Sequence, residues 1–208
     1  MLPFDKIYVL NQKSRPDRLA QLQAEMSRID SGPYEVIYTL DGDAPFHSFC
    51  RSMHHIQTLI AEDKYDNALV LEDDVIFQNL VPLMYAMQEL PEDWLTLHLG
   101  GNATDGVNCM MENQPTAYSQ HLVRLRCCWA SQAIAYRRPI SQAISICYDP
   151  DQKRMYDDWL SEEVLRNNAS YMVRPTVAWQ RPGKSDLWGT MTDYTGAWEK
   201  TDEKIMAL

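Results

Sequence analysis

Apolar and polar residues follow one another in a way that predicts alternating strands and helices over the first half of the chain. Residues 6–11 are an apolar run closed by a polar residue, which indicates a strand. The elements predicted after it are a helix with Leu19, Leu22, Met26 and Ile29 on one face, a strand at 35–40, a helix at 47–62 and a strand that runs into residue 72. A β-α-β-α-β order implies a parallel sheet with crossover helices.

The second half of the chain extends this pattern less regularly. Its predicted elements are helices at 80–90, 139–147 and 156–167 and strands at 94–100, 121–125, 131–136 and 171–180. Pro175 interrupts the last strand, which is therefore expected at a sheet edge. Residues 101–120 show the least periodicity, and we expect a mobile loop there that closes over a ligand. No domain boundary is visible, so residues 1–208 are expected to form one α/β domain with a mainly parallel central sheet flanked by helices.

Three adjacent carboxylates, Glu72, Asp73 and Asp74, stand at the predicted end of the third strand. Apolar residues 68–71 precede them and 75–77 follow, which distinguishes them from an ordinary solvated acidic turn. Because adjacent carboxylates repel one another, a fold that holds them together neutralises them with a cation or leaves them in water. In open α/β sheets, ligands bind at the carboxyl ends of the strands.

Other polar or small residues are predicted at the same edge of the sheet, namely Asn11, Asp41 and the pair at 100–101. A rim with carboxylates suits a nucleoside diphosphate bound through a divalent cation, and hard oxygen ligands favour Mg²⁺ or Mn²⁺. The chain contains neither a GxGxxG sequence nor a P-loop, so the cation would have to neutralise the phosphates.

Charge and cysteine content narrow the function classes. The chain has 19 Lys plus Arg against 29 Asp plus Glu, a net charge of -10, which argues against nonspecific binding to nucleic acid or to an anionic membrane. No window is long and apolar enough to predict a membrane span, and residues 1–10 do not have the pattern of a signal peptide. Five cysteines without zinc-site spacing are expected to be reduced thiols of a cytoplasmic protein.

Several short motifs occur in a fixed order along the chain. They are Ile7-Tyr8-Val9-Leu10-Asn11 with Arg15-Pro16-Asp17-Arg18, Leu40-Asp41-Gly42, Cys50 with His54, Leu71-Glu72-Asp73-Asp74-Val75, Asp157 with Leu160, and Pro175, Gln180 and Ser185-Asp186. This ordered set resembles glycosyltransferase family 25, which includes bacterial lipooligosaccharide and collagen galactosyltransferases. The resemblance covers most of the chain, but Met53 stands where the family usually has serine, and residues 101–120 match poorly.

The resemblance implies a GT-A-type fold and metal-dependent transfer of a sugar from a nucleoside diphosphate sugar, expected to be a UDP-sugar, to a glycan or another hydroxyl acceptor. Galactose is the family's common donor sugar. By the same resemblance the acidic triplet binds Mn²⁺ or Mg²⁺, with Asp74 on the metal and Glu72 on the metal or the ribose. The residues expected to bind the donor are Asn11, Arg18, Asp41, His54, Glu72, Asp73, Gln180, Ser185 and Asp186.

The catalytic base is expected among the carboxylates of the helix predicted at 156–167. If transfer inverts the anomeric centre, the acceptor hydroxyl must lose a proton, and the family pattern points to Asp157. Asp158 is the alternative, and since adjacent helical positions point about 100° apart, only one of the two is expected to face the ligand. One exposed tryptophan among Trp129, Trp179, Trp188 and Trp198 is expected to stack on an acceptor sugar.

Two other functions fit the same residues. A nucleotidyl or phosphoryl transfer enzyme would use the same carboxylate rim without moving a sugar. A non-catalytic protein that binds nucleotide sugars would keep the fold, and Met53 and the poorly matching stretch at 101–120 favour this alternative.

Overall fold

An eight-stranded sheet forms the centre of the computed structural model, which describes residues 1–40, 44–103 and 113–208. Its strands are β1 (Lys6–Asn11), β2 (Glu35–Tyr38), β3 (Asn67–Glu72), β5 (Thr96–His98), β6 (Thr116–Ala117), β7 (Leu122–Arg124), β8 (Ala133–Arg137) and β9 (Ser170–Val173). The other strands form two separate antiparallel pairs, β4 (Val75–Phe77) with β10 (Ala178–Gln180) and β11 (Gly183–Lys184) with β12 (Met191–Thr192). The order across the sheet is β2-β1-β3-β8-β5-β9-β7-β6.

The prediction of a mainly parallel sheet is confirmed, because six of the eight strands in the described sheet run in one direction. Strands β1, β2 and β3 are parallel, β5 and β9 share their direction, and so does the edge strand β6. Strands β7 and β8 run the opposite way. Because β8 is antiparallel to β3, it begins where β3 ends, and Glu72 N–H donates to Gln132 O at 3.0 Å just beyond their ladder.

The helices connect these strands; the first five begin close to the predicted positions, and the last was not predicted. They are α1 (Pro16–Arg28), α2 (Pro45–Glu62), α3 (Val81–Glu89), α4 (Arg138–Cys147), α5 (Tyr156–Trp159), which continues as a π-helical segment (Leu160–Leu165), and α6 (Thr195–Met206). Each of α1 to α4 has a proline in its first two positions. Proline suits these positions because its fixed φ fits a helix and its missing N–H would have no intrahelical partner there.

Two apolar layers cover the two faces of the sheet. Ile7 and Val9 of β1 pack with α1 and α3, whereas Tyr8 and Leu10 pack with α2, α4 and the helix at 156–165. This alternation follows from the two-residue period of a strand, since successive side chains point to opposite faces. Each fully buried aliphatic side chain contributes about 1.5–3 kcal/mol relative to exposure. The layers therefore fix the sheet rigidly and leave its carboxyl edge open.

Three predictions about the second half of the chain are wrong. The strand predicted at 171–180 is two strands, because β9 ends at Val173 before Pro175, and β9 lies inside the sheet between β5 and β7. Residues 181–208 show little periodicity and no element was predicted there, yet they contain the β11–β12 hairpin and α6. Cys127 is disulfide-bonded, although reduced thiols were expected, because spacing along the chain does not show which thiols meet in space. Cys50, Cys128 and Cys147 are free.

The structure leaves two expectations about chain segments open. Asp41 and residues 104–112 of the predicted loop lie outside the described residues, so the loop expected to close over a ligand stays a prediction. Within the described ranges, no helix combines the length and the apolar composition that a membrane crossing needs. A cytoplasmic location remains an expectation from the sequence.

Candidate active site

A cleft of about 530 Å³ opens at the carboxyl edge of the sheet. Its floor is formed by the ends of β1 and β3 and the segment before β8, and its walls by α1, the start of α5, residues 185–188 and α6. The structure brings ten of the predicted site residues to this cleft: Asn11, Arg18, Glu72, Asp73, Asp74, Asp157, Asp158, Gln180, Ser185 and Asp186. Asn11 and the acidic triplet converge because β1 and β3 are parallel, so that their carboxyl ends meet at one edge.

The acidic triplet forms the turn between β3 and β4, and each carboxylate has its own partners. Glu72 Oε1 accepts a hydrogen bond from Ser131 Oγ at 2.8 Å. Asp73 is 7% exposed, and its Oδ2 accepts from Asn11 Nδ2 at 2.7 Å. Asp74 is 6% exposed; its Oδ2 accepts from Gln180 Nε2 at 3.0 Å, whereas its buried Oδ1 has no partner among the described residues.

Burial makes this cluster electrostatically costly. It raises the pKa of Glu72 well above its ordinary value, and the nearby charge of Asp74 raises that pKa further. Burial also raises the pKa of Asp74, against the opposing effects of the hydrogen bond from Gln180 and the charge of Arg18. A cation placed next to these carboxylates would offset the cost of keeping them ionised.

Arginines of α1 connect the triplet to the C-terminal hairpin. Arg18 Nη1 lies 3.1 Å from Asp73 Oδ1 and 3.2 Å from Asp74 Oδ2, and Arg18 Nη2 donates to Lys184 O at 2.7 Å. Arg15 Nη1 donates to Asp186 Oδ2 at 2.6 Å. The first turn of α1 therefore positions the β11–β12 hairpin at the mouth of the cleft.

Asp157 and Asp158 lie on the other side of the cleft at the start of α5. Asp157 Oδ2 accepts from Ala130 N at 3.1 Å and its Oδ1 accepts from Asp158 N at 3.0 Å, so backbone groups fix the carboxylate. Burial raises the pKa of Asp157, and burial together with the charge of Asp157 raises that of Asp158. Both residues line the cleft, which corrects the expectation that only one would, because the cleft wraps around the first turn of the helix.

His54 lies away from the cleft. Its Nε2 is 3.0 Å from Ser145 O of α4, and its ring centroid is 6.4 Å from that of Tyr148. The helical period of α2 directs His54 towards α4, while Pro45 and Phe49 from the beginning of α2 line the cleft. The structure therefore does not support the expected contact between His54 and a donor.

Several cleft residues escaped the sequence reasoning. Ser131 donates a hydrogen bond to Glu72 from the residues just before β8. These residues lie at the carboxyl edge of the sheet only because β8 is antiparallel to β3, and the sequence does not show the direction of β8. Tyr194 was also missed, because it lies in the segment after residue 181 for which no element was predicted. Trp129, Trp188 and Trp198, three of the four tryptophans considered for stacking on a sugar, do line the cleft. Trp188 is the cleft tryptophan with the largest exposure, 62%, and Ser185 Oγ accepts from its backbone N–H at 3.1 Å.

The carboxylates fit a divalent cation that is shared with a ligand. Among the described residues, no group of three metal-ligating side chains is arranged to hold an ion alone. Mg²⁺ and similar ions, however, are commonly held by one or two carboxylates together with substrate phosphates. Asp74 offers a buried oxygen that has no partner in the described part of the chain, and Glu72 lies beside it in the cleft. These two side chains are the ones that would hold the metal.

The fold is of the GT-A type, an α/β fold whose central sheet is flanked by helices. Two solved structures resemble it over nearly the whole chain. One is A197 from STIV, with a TM-score of 0.53 and 11% identity over 89% of this chain and 91% of that one. The other is a glycosyltransferase involved in the glycosylation of the major capsid of PBCV-1, with a TM-score of 0.53 and 11% identity over 98% of this chain and 100% of that one. No family model and no curated protein matches the sequence.

Proposed function

We propose that this chain is a metal-dependent glycosyltransferase that moves a sugar from a nucleoside diphosphate sugar to a hydroxyl acceptor. The observation that carries the proposal is the buried acidic triplet at the end of β3, which faces a second pair of carboxylates across a cleft of about 530 Å³. The volume lies in the range of small-molecule sites. The ordered motifs that resemble family 25 support the same activity, with a UDP-sugar as donor, galactose as its sugar and residues 1–208 as one catalytic domain.

The triplet side of the cleft is proposed to bind the donor. Asn11 and Arg18 fix Asp73, and Gln180 fixes Asp74, so the carboxylates are oriented before a ligand arrives. Asp74 and Glu72 would hold Mn²⁺ or Mg²⁺, which as a Lewis acid supplies stabilisation of charge on a leaving diphosphate. Ser185 and Asp186 shape the hairpin that borders the donor.

The opposite side of the cleft is proposed to bind the acceptor. There the Asp157 carboxylate takes the proton of the acceptor hydroxyl while the hydroxyl oxygen bonds to the anomeric carbon and the bond from that carbon to the diphosphate oxygen breaks. The backbone N–H groups of Ala130 and Asp158 keep the carboxylate in position. A raised pKa makes Asp157 a stronger base than an exposed aspartate. With the base across the cleft from the leaving group, transfer inverts the anomeric centre.

A non-catalytic protein that binds nucleotide sugars is the second candidate. The observation in its favour is Arg18, whose guanidinium already compensates Asp73 and Asp74 without a metal ion. Such a protein would bind the donor but would not cleave it.

Hydrolysis of a panel of nucleoside diphosphate sugars, with Mn²⁺ and with EDTA, separates the two candidates. The transferase should release nucleoside diphosphate slowly, in a metal-dependent way and without added acceptor. Asp74→Asn should remove most of the metal-dependent donor binding in calorimetry and leave the fold intact, because neutralising one of several repelling carboxylates does not unfold it. Asp93→Asn, at an exposed position before β5, is the matched control. Equal Mn²⁺-dependent affinity in the wild type and Asp74→Asn would refute the metal assignment.

A further inference from the structure

A second, smaller cavity adjoins the cleft and is lined by three arginines. It has a volume of about 110 Å³, and Arg18 and Asp74 border both cavities. Arg15 reaches it from the position just before α1, Arg18 from the first turn of α1, and Arg181 from the segment between β10 and β11. Asp17 and Asp74 also line the cavity, so three guanidinium groups stand against two carboxylates there.

Two of these arginines are compensated by carboxylates, and the third is not. Arg15 pairs with Asp17 and Asp186, and Arg18 pairs with the acidic triplet. Arg181 forms no ion pair with any residue of the described ranges, and its buried Nε has no hydrogen-bond partner there. A buried N–H group that has no partner among the described residues is costly, so an anion bound in the cavity would stabilise Arg181.

Glu25 is the carboxylate whose pKa is affected by Arg181, but it does not form an ion pair with Arg181. Arg181 contributes to lowering the pKa of Glu25, which places the two groups in electrostatic reach of each other. Both oxygens of Glu25 are already engaged: Oε1 accepts from Arg28 Nη2 at 2.6 Å and from Phe77 N at 2.6 Å, and Oε2 accepts from Arg28 Nε at 3.0 Å. The charge of Arg181 therefore remains available to a ligand.

We propose that this cavity binds a phosphate group, with Arg181 as its principal contact and Arg15 and the N-terminal end of α1 beside it. A guanidinium matches the geometry of phosphate oxygens and can donate two parallel hydrogen bonds. The positive end of the α1 dipole adds attraction for an anion. The cavity is too small for a whole nucleoside diphosphate sugar, and Asp74 on its border places the phosphate next to the proposed metal ligands.

The phosphate has two possible sources, the diphosphate of the donor or a phosphate on the acceptor. The choice between these two sources rests on the proposed function, whereas the proposal that the cavity binds a phosphate group does not. A donor diphosphate would reach from the cleft past Asp74 into the cavity. An acceptor phosphate would occupy the cavity while a nucleotide fills the cleft.

Calorimetry with inorganic pyrophosphate in EDTA tests the site. Loss of charge-assisted hydrogen bonds of about 1.5–3 kcal/mol should make binding to Arg181→Gln roughly ten- to a hundredfold weaker than to the wild type. Arg181→Lys, which keeps the charge, should bind more tightly than Arg181→Gln. Arg166→Gln removes an exposed arginine elsewhere and should bind like the wild type. Thermal unfolding of each variant shows that it is folded.

Equal pyrophosphate affinity in the wild type and Arg181→Gln would overturn the proposal, and so would an equal loss in Arg166→Gln. Competition by UDP with Mn²⁺ present would identify the donor diphosphate as the source, and simultaneous binding of UDP and inorganic phosphate would identify an acceptor phosphate. Arg181-dependent pyrophosphate binding without any nucleotide binding would keep the phosphate site and refute the transferase. Metal-dependent UDP binding without pyrophosphate binding would refute the phosphate site and leave the proposed transferase standing.

Discussion

Replacing Asp157 by asparagine removes the proposed base and leaves almost the same shape in the cleft. Loss of a general base typically lowers turnover by about 10²- to 10⁴-fold, which corresponds to about 2.7–5.5 kcal/mol in activation free energy. Donor binding should be nearly unchanged, because Asp157 lies on the side of the cleft opposite the acidic triplet.

The effect of Asp157→Asn on stability follows from the two backbone hydrogen bonds that the carboxylate accepts, from Ala130 N and Asp158 N. An asparagine oxygen can accept one of them, and its amide group leaves the other N–H without a partner. A buried N–H without a partner costs about 1–3 kcal/mol. Since domains are typically stable by about 5–15 kcal/mol, the variant should remain folded, and unfolding would not explain a large loss of turnover.

The assay is the rate of Mn²⁺-dependent hydrolysis of the preferred donor, with donor affinity measured by calorimetry and stability by urea unfolding. Asp158→Asn is the matched comparison, because it neutralises the adjacent carboxylate in the same turn. Near-normal turnover for Asp157→Asn with a large loss for Asp158→Asn would transfer the role to Asp158. If neither variant loses turnover, the base lies elsewhere or the reaction retains configuration.

Two further predictions concern stability. Burial lowers the pKa of His98 to about 3 in the folded protein, whereas the pKa of an unfolded histidine is about 6.5. Between these two pH values only the unfolded state binds the proton. The free energy of unfolding should therefore fall by about 2 kcal/mol from pH 6.5 to pH 5. Urea unfolding should show this loss in the wild type and in Thr96→Val, which alters a buried hydroxyl that has no partner among the described residues, but not in His98→Leu. The same pH dependence of stability in all three proteins would refute the prediction. A Cβ at Gly100 would lie 1.8 Å from Ala178 O, so Gly100→Ala should lower the free energy of unfolding by about 1–3 kcal/mol. Gly196→Ala should not, because within the described ranges a Cβ there would meet nothing within 4 Å beyond its own helix backbone and chain neighbours.

The first half of the fold was predictable because its signals are local. In β1 and β3, apolar runs ending in polar residues mark buried parallel strands, which predicts that Asn11 and the acidic triplet lie at one edge of the sheet. The direct contact between Asn11 and Asp73 is visible only in the structure. The parallel direction of these strands follows from the helices between them. The position of the acidic triplet in the site could therefore be predicted without any knowledge of tertiary structure.

The second half was less predictable because its elements depend on tertiary contacts. The buried residues of α6 are Trp198, Thr201 and Ile205, a narrow stripe with a polar residue in the middle, so the helix carries little periodic signal. A buried strand such as β8 has the same composition in either direction, which is why Ser131 was missed. The position of His54 in a motif likewise could not show that its ring faces α4.

The two arginines at the start of α1 have a consequence for how the protein folds. Arg15 contacts Asp186 across 171 positions of the chain, and Arg18 contacts Lys184 across 166. Contacts between such distant positions form slowly, because a long loop must close before they contribute any stability. During synthesis, the strands of the eight-stranded sheet can pair while the hairpin at 183–192 has yet to emerge from the ribosome. The cleft is therefore complete, and able to bind a ligand, only after the segment at 184–188 has joined it.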